Sequence, residues 1–134
     1  MSGVLVRDAT RADLPELEWG GGYTHFRRTY LRTYDEMRAG RRLMLVAAAG
    51  KEIVGQVFIQ LHSNDPEFAD GRRRGYLYSL RVKHRFRGQG IGSRLIAAAE
   101  ERLRTLGFQR VIIAAARSNP EARRLYESHG FRVF

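Results

Sequence analysis

The sequence predicts one α/β domain with a mixed, mostly antiparallel sheet flanked by helices. Three observations lead to this fold class. The chain has 134 residues, which is the usual size of one domain. Strand-like and helix-like segments follow one another in the order β-α-α-β-β-β-α-β-α-β. A continuous apolar run at Val111–Ala116 is typical of a strand that is covered on both faces.

The composition is that of a globular protein with one core. Hydrophobic residues make up 43% of the chain, charged residues make up 28%, and there is no cysteine. The lack of cysteine excludes a disulfide framework, a thiolate metal site and a cysteine nucleophile, and we expect no bound metal. No apolar run approaches the ~18–20 residues of a membrane span, and the N-terminus lacks the pattern of a signal peptide. We therefore expect a cytoplasmic protein without a membrane partner.

The chain is strongly basic, with a net charge of +10 from 24 Lys and Arg against 14 Asp and Glu. Such a field attracts polyanions, which include nucleic acid, acidic lipid and phosphorylated small molecules. All the basic residues except Lys51 and Lys83 are arginines, and they are spread through every segment. Genome composition and solubility therefore explain much of this charge. The basic cluster Lys83–Arg87 differs from the rest because it adjoins a motif.

The N-terminal half is predicted to contain two helices and four strands. A strand at Gly3–Asp8 is followed by Thr10 and Asp13, which cap a helix at Arg11–Trp19. Three consecutive glycines end that helix. The other predicted elements of this half are a helix at Tyr23–Arg38, strands at Leu43–Ala49 and Glu52–Leu61 around the turn Gly50-Lys51, a polar loop at His62–Arg74 and a strand at Gly75–Val82.

The C-terminal half has clearer periodicity. One predicted helix has an apolar face whose residues are spaced four, four, four and three positions apart in the sequence: Ile91, Leu95, Ala99, Leu103 and Leu106. Gly107 with Phe108 after it is typical of a helix end. Asn119-Pro120 is an N-cap followed by proline at the first helical position, and it starts a helix that runs to about Ser128. A last strand begins at Phe131–Phe134.

A glycine-rich segment leads into the long helix of this half, with the sequence Arg87-Gly88-Gln89-Gly90-Ile91-Gly92-Ser93. Three glycines in five positions allow a tight turn whose N–H groups face a ligand. The start of the helix adds further N–H donors and the positive end of the helix dipole. A phosphate or pyrophosphate suits such a site. The spacing matches neither the dinucleotide-binding pattern nor a P-loop, so the segment on its own is equally compatible with a structural turn.

Asn119 and Tyr126 lie seven residues apart on the last predicted helix. Seven residues are nearly two turns, which places both on one side of the helix to within ~20°. They therefore lie near the C-terminal end of Val111–Ala116, at the edge where ligands bind in open α/β sheets. Capping alone also explains Asn119, and core packing alone also explains Tyr126.

Together these motifs resemble the GNAT-type N-acetyltransferases. The residues that carry the resemblance are Leu80-Arg81-Val82, Arg87–Leu95, Asn119, Ala122, Leu125-Tyr126 and Gly130-Phe131. The glycine segment matches the family's Arg/Gln-x-x-Gly-x-Gly/Ala motif at Arg87, Gly90 and Gly92. The strong resemblance covers Tyr76–Phe131, and the first half of the chain agrees with the family in element order only.

The resemblance implies acetyl-CoA as the donor and a small-molecule or peptide amine as the acceptor. The implied donor-binding residues are Leu80, Arg81, Val82, Arg87, Gly88, Gln89, Gly90, Ile91, Gly92, Ser93, Asn119 and Tyr126. Backbone N–H groups of Gly88–Ser93 would hold the pyrophosphate, with added charge from Lys83, Arg85 and Arg87.

By the same resemblance, the strand at Gly75–Val82 splays from its neighbour, and the pantetheine arm of the donor pairs with its free edge. An N–H near Leu80 would stabilise the oxyanion of acyl transfer. Asn119 would contact the pantetheine arm, and Tyr126 would act as the general acid at the departing thiolate.

The general base does not follow from the sequence. The candidates are Glu52, His62, Glu67, Asp70 and His84, and each is equally explained as a solvated surface residue. His25 lies in the aromatic second helix, where it suits either an acceptor pocket or the core. A water relay or a backbone carbonyl would also serve as the base.

The sequence departs from the family at its C-terminus. The family fold continues beyond Gly130-Phe131 with a strand, a loop and another strand, whereas this sequence ends at Phe134. We expect the single domain, residues 1–134, to be short at this end. Three explanations are compatible with this departure: the family's last two strands have been removed, a partner subunit of a homodimer supplies them, or the acceptor pocket is open. An exposed edge on Val111–Ala116 would favour aggregation.

Two functions follow from these observations. The first is an N-acetyltransferase that transfers an acetyl group from acetyl-CoA to a primary amine, with Tyr126 assisting the thiolate. The alternative is a non-catalytic module of the same fold that binds nucleic acid or an acidic partner. The charge favours the alternative, but the chain lacks the aromatic and basic strand pattern of RNA stacking, so nucleic acid is not the expected partner. An acidic cluster at Asp65, Glu67 and Asp70 hints at polycationic acceptors.

Overall fold

The computed structural model describes residues 3–21, 24–62, 74–113 and 120–130. The strands are β1 (Val4–Asp8), β2 (Arg42–Ala49), β3 (Glu52–Gln60), β4 (Arg74–Val82) and β5 (Arg110–Ile113), and the α-helices are α1 (Arg27–Arg38), α2 (Ile91–Thr105) and α3 (Pro120–Ser128). The strands form one sheet in the order β1-β2-β3-β4-β5, in which only β4 and β5 pair in parallel. The predicted mixed, mostly antiparallel sheet is confirmed. The strand predicted at Phe131–Phe134 lies outside the described residues.

Helices cover the sheet on opposite faces. Helix α2 buries Ile91, Leu95, Ala99 and Leu103 against one face, as the spacing of its apolar residues predicts. Leu106, the last residue of the predicted apolar face, lies beyond the helix and is 52% exposed. Helix α1 and the segment before it cover the other face, where the buried cluster includes Leu14, Leu17, Tyr30, Met44 and Phe58. In the part of the chain that the structure describes, no helix is long and apolar enough to cross a membrane.

The first predicted helix is a 3₁₀-helix at Arg11–Gly21. The predicted capping contact is present, because the Thr10 backbone N–H donates to Asp13 Oδ2 at 2.7 Å. Pro15 is incompatible with an α-helix that begins at Arg11: the N–H of residue 15 would have to donate to the Arg11 carbonyl, and proline lacks that N–H and its ring would clash with that carbonyl. The prediction of an ordinary helix here was wrong.

The second helix begins later than its sequence predicts. Residues Thr24–Phe26 form a short 3₁₀ turn, and regular α-helix begins at Arg27 instead of Tyr23. This boundary matters for the site, because the 3₁₀ turn and the first half of α1 border a cavity against β3 and β4.

Strand β4 contains a β-bulge that the sequence pattern does not predict. Gln56 of β3 pairs with Arg81, whereas Phe58 pairs with Tyr78, so two residues of β4 oppose the single residue Val57. The first of them, Ser79, has a positive φ of 53°. A bulge changes the alternation of side chains along a strand. Tyr78 and Arg81, three residues apart, consequently border the same cavity.

Strand β5 pairs with the first half of β4, from Arg74–Arg110 to Leu77–Ile113. Its side chains Val111, Ile112 and Ile113 are half-buried. The rest of the predicted strand, residues 114–116, lies outside the described residues. The expected separation of β4 from its neighbour near Leu80 therefore stays a prediction.

Candidate active site

A groove runs between the end of β4, the start of α2 and α3. Its volume is 630 Å³. We call it the glycine-loop groove, and its lining residues are Trp19, Leu80, Arg81, Val82, Phe86, Arg87, Gly88, Gly90, Ile91, Gly92, Ser93, Leu125 and Tyr126. Of the donor-binding residues that the sequence predicts, Gln89 does not line the groove and Asn119 lies outside the described residues. The other ten are brought together here.

The glycine loop has the backbone conformation that its composition predicts. Gly88 has φ 76° and Gly90 has φ 80°, values in the left-handed region that side chains disfavour. Gly90 is the N-cap of α2, and its carbonyl accepts the first helical bond from the Arg94 N–H at 3.0 Å. Since glycine has no side chain, no side chain of the N-cap residue caps the N–H groups of the first turn, and this turn borders the groove.

The basic residues around the start of the glycine loop have two different partners, the Glu52 carboxylate and the Val82 carbonyl. Lys83 Nζ lies 3.1 Å from Glu52 Oε2, and Arg85 forms an ion pair with the same carboxylate. Hydrogen bonds and charge from these two cations lower the pKa of Glu52. Arg87 Nε donates to the Val82 carbonyl at 3.0 Å, which ties the loop to the end of β4.

Tyr126 closes the other side of the groove from α3. Its residue is only 8% exposed. Burial raises the pKa of its phenol, and the nearby Tyr76 raises it further. At neutral pH this phenol therefore carries its proton and can donate a hydrogen bond.

A second cavity, the α1 cavity, lies between α1 and strands β3 and β4. Its volume is 370 Å³, and its lining residues are Phe26, Thr29, Tyr30, Arg32, Thr33, Glu36, Arg42, Phe58, Tyr78, Ser79 and Arg81. Glu36 forms an ion pair with Arg42, and Arg42 also donates to the Tyr78 hydroxyl. Burial raises the pKa of Tyr78, and Arg42 opposes part of that rise.

Arg81 borders both cavities. Its Nη2 donates to Gln56 Oε1 at 2.7 Å and to the Tyr30 hydroxyl at 2.5 Å. Its guanidinium carbon lies 4.4 Å from the centre of the Trp19 ring, within the range of a cation–π contact. The side chain thus points to the α1 face of the sheet.

The model of the acetyltransferase (GNAT) family matches residues 9–131. The chain belongs to the GNAT family of acetyltransferases. An uncharacterised N-acetyltransferase of Bacillus subtilis is 27% identical over 82 residues, which are 61% of this chain and 49% of that protein. Human N-alpha-acetyltransferase 30 is 31% identical over 90 residues, which are 67% of this chain and 24% of that protein. The chain spans half or less of the length of these curated relatives.

Solved structures agree with this GNAT fold over nearly the whole chain. A transcriptional regulator from Bacillus halodurans is 27% identical, with a TM-score of 0.79 over 97% of this chain and 93% of that one. An aminoglycoside N-acetyltransferase solved in complex with CoA has a TM-score of 0.80 over 97% of this chain and 88% of that one. At 18% identity, this second likeness establishes the fold alone.

None of the described candidate bases lines the glycine-loop groove or the α1 cavity. Glu52 is held by Lys83 and Arg85, and His62 and His84 are exposed. His25 is also exposed, so it does not fill the core, which is one of the two places that the sequence suggests for it. The centre of its ring lies 4.2 Å from the centre of the Phe26 ring. Glu67 and Asp70, with the acidic cluster that they form with Asp65, lie outside the described residues.

Sequence reasoning missed several residues of the two cavities. Trp19, Phe86 and Leu125 line the glycine-loop groove. Among the described residues that line the α1 cavity, Glu36 on α1 is the one with a carboxylate side chain. Trp19 and Glu36 belong to no local motif, whereas Phe86 lies just before the glycine segment and Leu125 just before Tyr126. The described residues contain no group of three His, Asp or Glu side chains that could hold a metal ion.

Proposed function

We propose that this GNAT domain is an N-acetyltransferase that transfers an acetyl group from acetyl-CoA to a primary amine by direct attack. The observation that carries the proposal is the glycine-loop groove, which joins the start of α2, the end of β4 and the Tyr126 side chain. A phosphate-binding element, a strand edge and a proton donor in one groove would serve to bind this donor and to assist the departure of its thiolate.

The groove fits the donor in shape and charge. Gly88 and Gly90 place no side chain at two positions of the loop, and a β-carbon at either would meet no atom within 4 Å, so the space beside both positions is open. A pyrophosphate can therefore approach the backbone N–H groups of Gly88–Ser93, with Arg87 adding charge from the rim. The segment Leu80–Val82 of β4 would pair with the pantetheine arm, and an N–H near Leu80 would stabilise negative charge that develops on the thioester oxygen.

Acetyl-CoA supplies an activated acetyl group on a thioester. The acceptor nitrogen forms a bond to the acetyl carbon, the carbon–sulfur bond breaks with its electron pair on sulfur, and the nitrogen passes a proton to water. Tyr126 would donate a hydrogen bond or its proton to the sulfur, which its raised pKa supports because the phenol stays protonated at neutral pH. Asn119 would contact the pantetheine arm, as the family resemblance implies.

The α1 cavity would receive the acceptor. It meets the glycine-loop groove at Arg81, and it lies on the face of the sheet opposite α2. An amine in this cavity would approach the thioester from the side away from the pyrophosphate. The aromatic lining supports the assignment, because a pocket with apolar walls and a few polar groups is the usual form of a small-molecule site.

The proposal is tested by two measurements on the same protein. Calorimetry should detect acetyl-CoA binding, and release of free CoA thiol should follow when a panel of primary amines is added. Absence of acetyl-CoA binding would overturn the proposal. Salt-dependent binding to random RNA together with that absence would favour the non-catalytic alternative, whose supporting observation is the net charge of +10.

A further inference from the structure

Gln56 is a polar side chain inside the sheet, where it is 0% exposed. It lies on β3, directly opposite Arg81 of β4 and next to the bulge that Ser79 forms in that strand. A buried amide costs free energy unless hydrogen bonds satisfy it, so the partners of Gln56 show what its burial maintains. Both of its polar atoms have a partner on β4.

The amide of Gln56 connects the two ends of the bulge. Its Nε2 donates to the Ser79 carbonyl at 3.1 Å, and its Oε1 accepts from Arg81 Nη2 at 2.7 Å. The orientation of the amide follows from these partners, because a carbonyl only accepts and a guanidinium only donates. Leu80 lies between Ser79 and Arg81 in the chain, so the two contacts of Gln56 bracket it.

The hydrogen bond to the Ser79 carbonyl also sets the direction of the Leu80 N–H. The two groups belong to one peptide unit, which is planar and trans, so they point in opposite directions. Because the carbonyl points to Gln56 on β3, the N–H points away from β3. Leu80 lines the glycine-loop groove, and none of the described residues that line this groove belongs to β3.

The backbone at Ser79 is one that neighbouring contacts must hold in place. Its φ of 53° is in the left-handed region that residues other than glycine rarely adopt. The extra residue of a bulge is also left outside the regular hydrogen bonds of the strand pair. Strained backbone of this kind persists where the surrounding structure fixes it, and the Gln56 amide is one such contact.

We propose that Gln56 is a positioning residue for acyl transfer: it holds the Ser79–Leu80 peptide so that the Leu80 N–H meets the thioester oxygen of the donor. This inference rests on the proposed function, in which an N–H near Leu80 stabilises negative charge on that oxygen. Gln56 lines neither the groove nor the α1 cavity, so it acts through the peptide. Polarisation of the Gln56 amide by the Arg81 guanidinium strengthens the hydrogen bond to Ser79 and makes the Leu80 N–H a better donor.

Gln56→Glu tests this role by exchanging one donor group for an acceptor. The new carboxylate still accepts from Arg81, but it has no N–H for the Ser79 carbonyl. We expect kcat to fall about 10²-fold, the lower end of the range for loss of an oxyanion-hole donor. The affinity for free CoA should be unchanged, because CoA has no thioester oxygen. Gln56→Met, which lacks both hydrogen bonds and carries no charge, should lower kcat in the same way and serves if the buried carboxylate prevents folding.

Gln60→Glu is the matched control. Gln60 lies on the same strand, four residues further along, and its Nε2 donates to the His62 backbone carbonyl at 3.2 Å. The substitution makes the same change of charge and removes the same kind of hydrogen bond, away from the Ser79–Leu80 peptide. We expect it to leave kcat unchanged.

Infrared spectroscopy of bound acetyl-CoA gives a readout that depends neither on turnover nor on the folding of a variant. An isotope label at the thioester carbonyl isolates its C=O stretch in a difference spectrum. A hydrogen bond from the Leu80 N–H weakens this bond, so the stretch in the wild-type complex should lie at a lower frequency than in free acetyl-CoA in water. In Gln56→Glu it should return toward the free value, whereas Gln60→Glu should keep the wild-type frequency.

The outcomes separate the inference from the function on which it depends. If acetyl-CoA does not bind, the proposed function fails and the inference fails with it. If acetyl-CoA binds and is turned over, the inference is wrong when the wild-type complex shows no lowered frequency or when a folded Gln56 variant keeps full kcat. Equal losses of kcat in Gln56→Glu and Gln60→Glu, or a loss of CoA affinity as large as the loss of kcat, would also overturn it, since Gln56 would then only support the sheet.

Discussion

A β-carbon at Gly92 would lie 3.1 Å from Leu125 Cδ2, so the first turn of α2 packs directly against α3. Gly90, two residues earlier, is in a different situation: its φ is 80°, and a β-carbon there would meet no atom within 4 Å. The two glycines of the motif thus have separate functions. Gly90 permits the turn of the loop, and Gly92 permits the approach of the helix that carries Tyr126.

We predict that Gly90→Asp lowers acetyl-CoA affinity at least tenfold. The new carboxylate would lie beside the N–H groups that are proposed to bind the pyrophosphate, and like charges repel. Calorimetry measures the affinity. Gly50→Asp is the control for backbone strain, because Gly50 also has a positive φ, 63°, and open space around it, in the β2–β3 turn. Unchanged affinity in Gly90→Asp would mean that the loop is only a turn.

Gly92→Asp should reduce acetyl-CoA affinity by a similar factor for an additional reason. The side chain adds negative charge, and its β-carbon would lie 3.1 Å from Leu125 Cδ2, so the Leu125 side chain must shift by a few tenths of an ångström. Gly92→Ala isolates the second effect, because it adds a β-carbon without charge. We expect Gly92→Ala to weaken binding by less than Gly92→Asp, and equal losses would contradict a direct contact between this position and the phosphates.

Tyr126→Phe should lower kcat about 10²-fold and change acetyl-CoA affinity only a few-fold, the usual scale for loss of a general acid. The phenol is buried in the groove and protonated at neutral pH, so the substitution removes a donor and keeps the ring. Steady-state kinetics and calorimetry separate the two quantities. Tyr34→Phe is the control, since Tyr34 is half-buried against the α1-side core and lines neither cavity. A variant with full kcat would remove Tyr126 from the mechanism.

Much of this fold was predictable because its determinants are local. The apolar spacing of α2 and the turn at Gly50 depend on residues close together in the chain, and both predictions are confirmed. The glycine loop is local in the same sense. Its left-handed glycines required no knowledge of the tertiary structure.

The errors arise where one residue or a tertiary contact outweighs a local pattern. Pro15 removes one N–H and changes the type of the first helix, although the capping residues around it are those of an α-helix. The bulge at Ser79 is not marked by glycine. The α1 cavity combines Glu36, Arg42 and Tyr78 from three elements, which no sequence pattern relates. Acceptor specificity was for that reason the least predictable property of the chain.

Asp13→Asn should destabilise the protein by about 1–3 kcal/mol at neutral pH, the cost of weakening a well-connected buried charge. Asp13 accepts from Arg7 Nη1 at 2.7 Å and from the Thr10 N–H at 2.7 Å, which joins β1 to the 3₁₀-helix. The hydrogen bond from Arg7, with those from Thr10, lowers the pKa of Asp13. Since the folded pKa is below the unfolded value, this stabilisation is complete above that value, about 4, and is lost as the pH falls further.

Urea unfolding at a series of pH values measures this contribution. The free-energy difference between the wild type and Asp13→Asn should shrink below about pH 4, where the wild-type carboxylate takes up its proton. Asp35→Asn, at an exposed position on α1, should show no such dependence. A difference that is constant with pH would mean that packing, and not charge, is what Asp13 contributes.

Glu52→Gln should strengthen acetyl-CoA binding about two- to fivefold at low ionic strength. Glu52 pairs with both Lys83 and Arg85, and the residues that follow them, Phe86 and Arg87, line the groove. Loss of the carboxylate leaves these two cations uncompensated beside the glycine loop, which raises the attraction for a polyanion. The gain should decrease toward ~1 M salt, because screening removes attraction between exposed charges.

Glu101→Gln is the control for this change of charge. It removes a carboxylate at an exposed position on α2, about 15 Å along the helix from its start, and should alter binding little. Weaker binding by Glu52→Gln alone would show that Glu52 instead holds Lys83 and Arg85 in the positions from which they contact the phosphates.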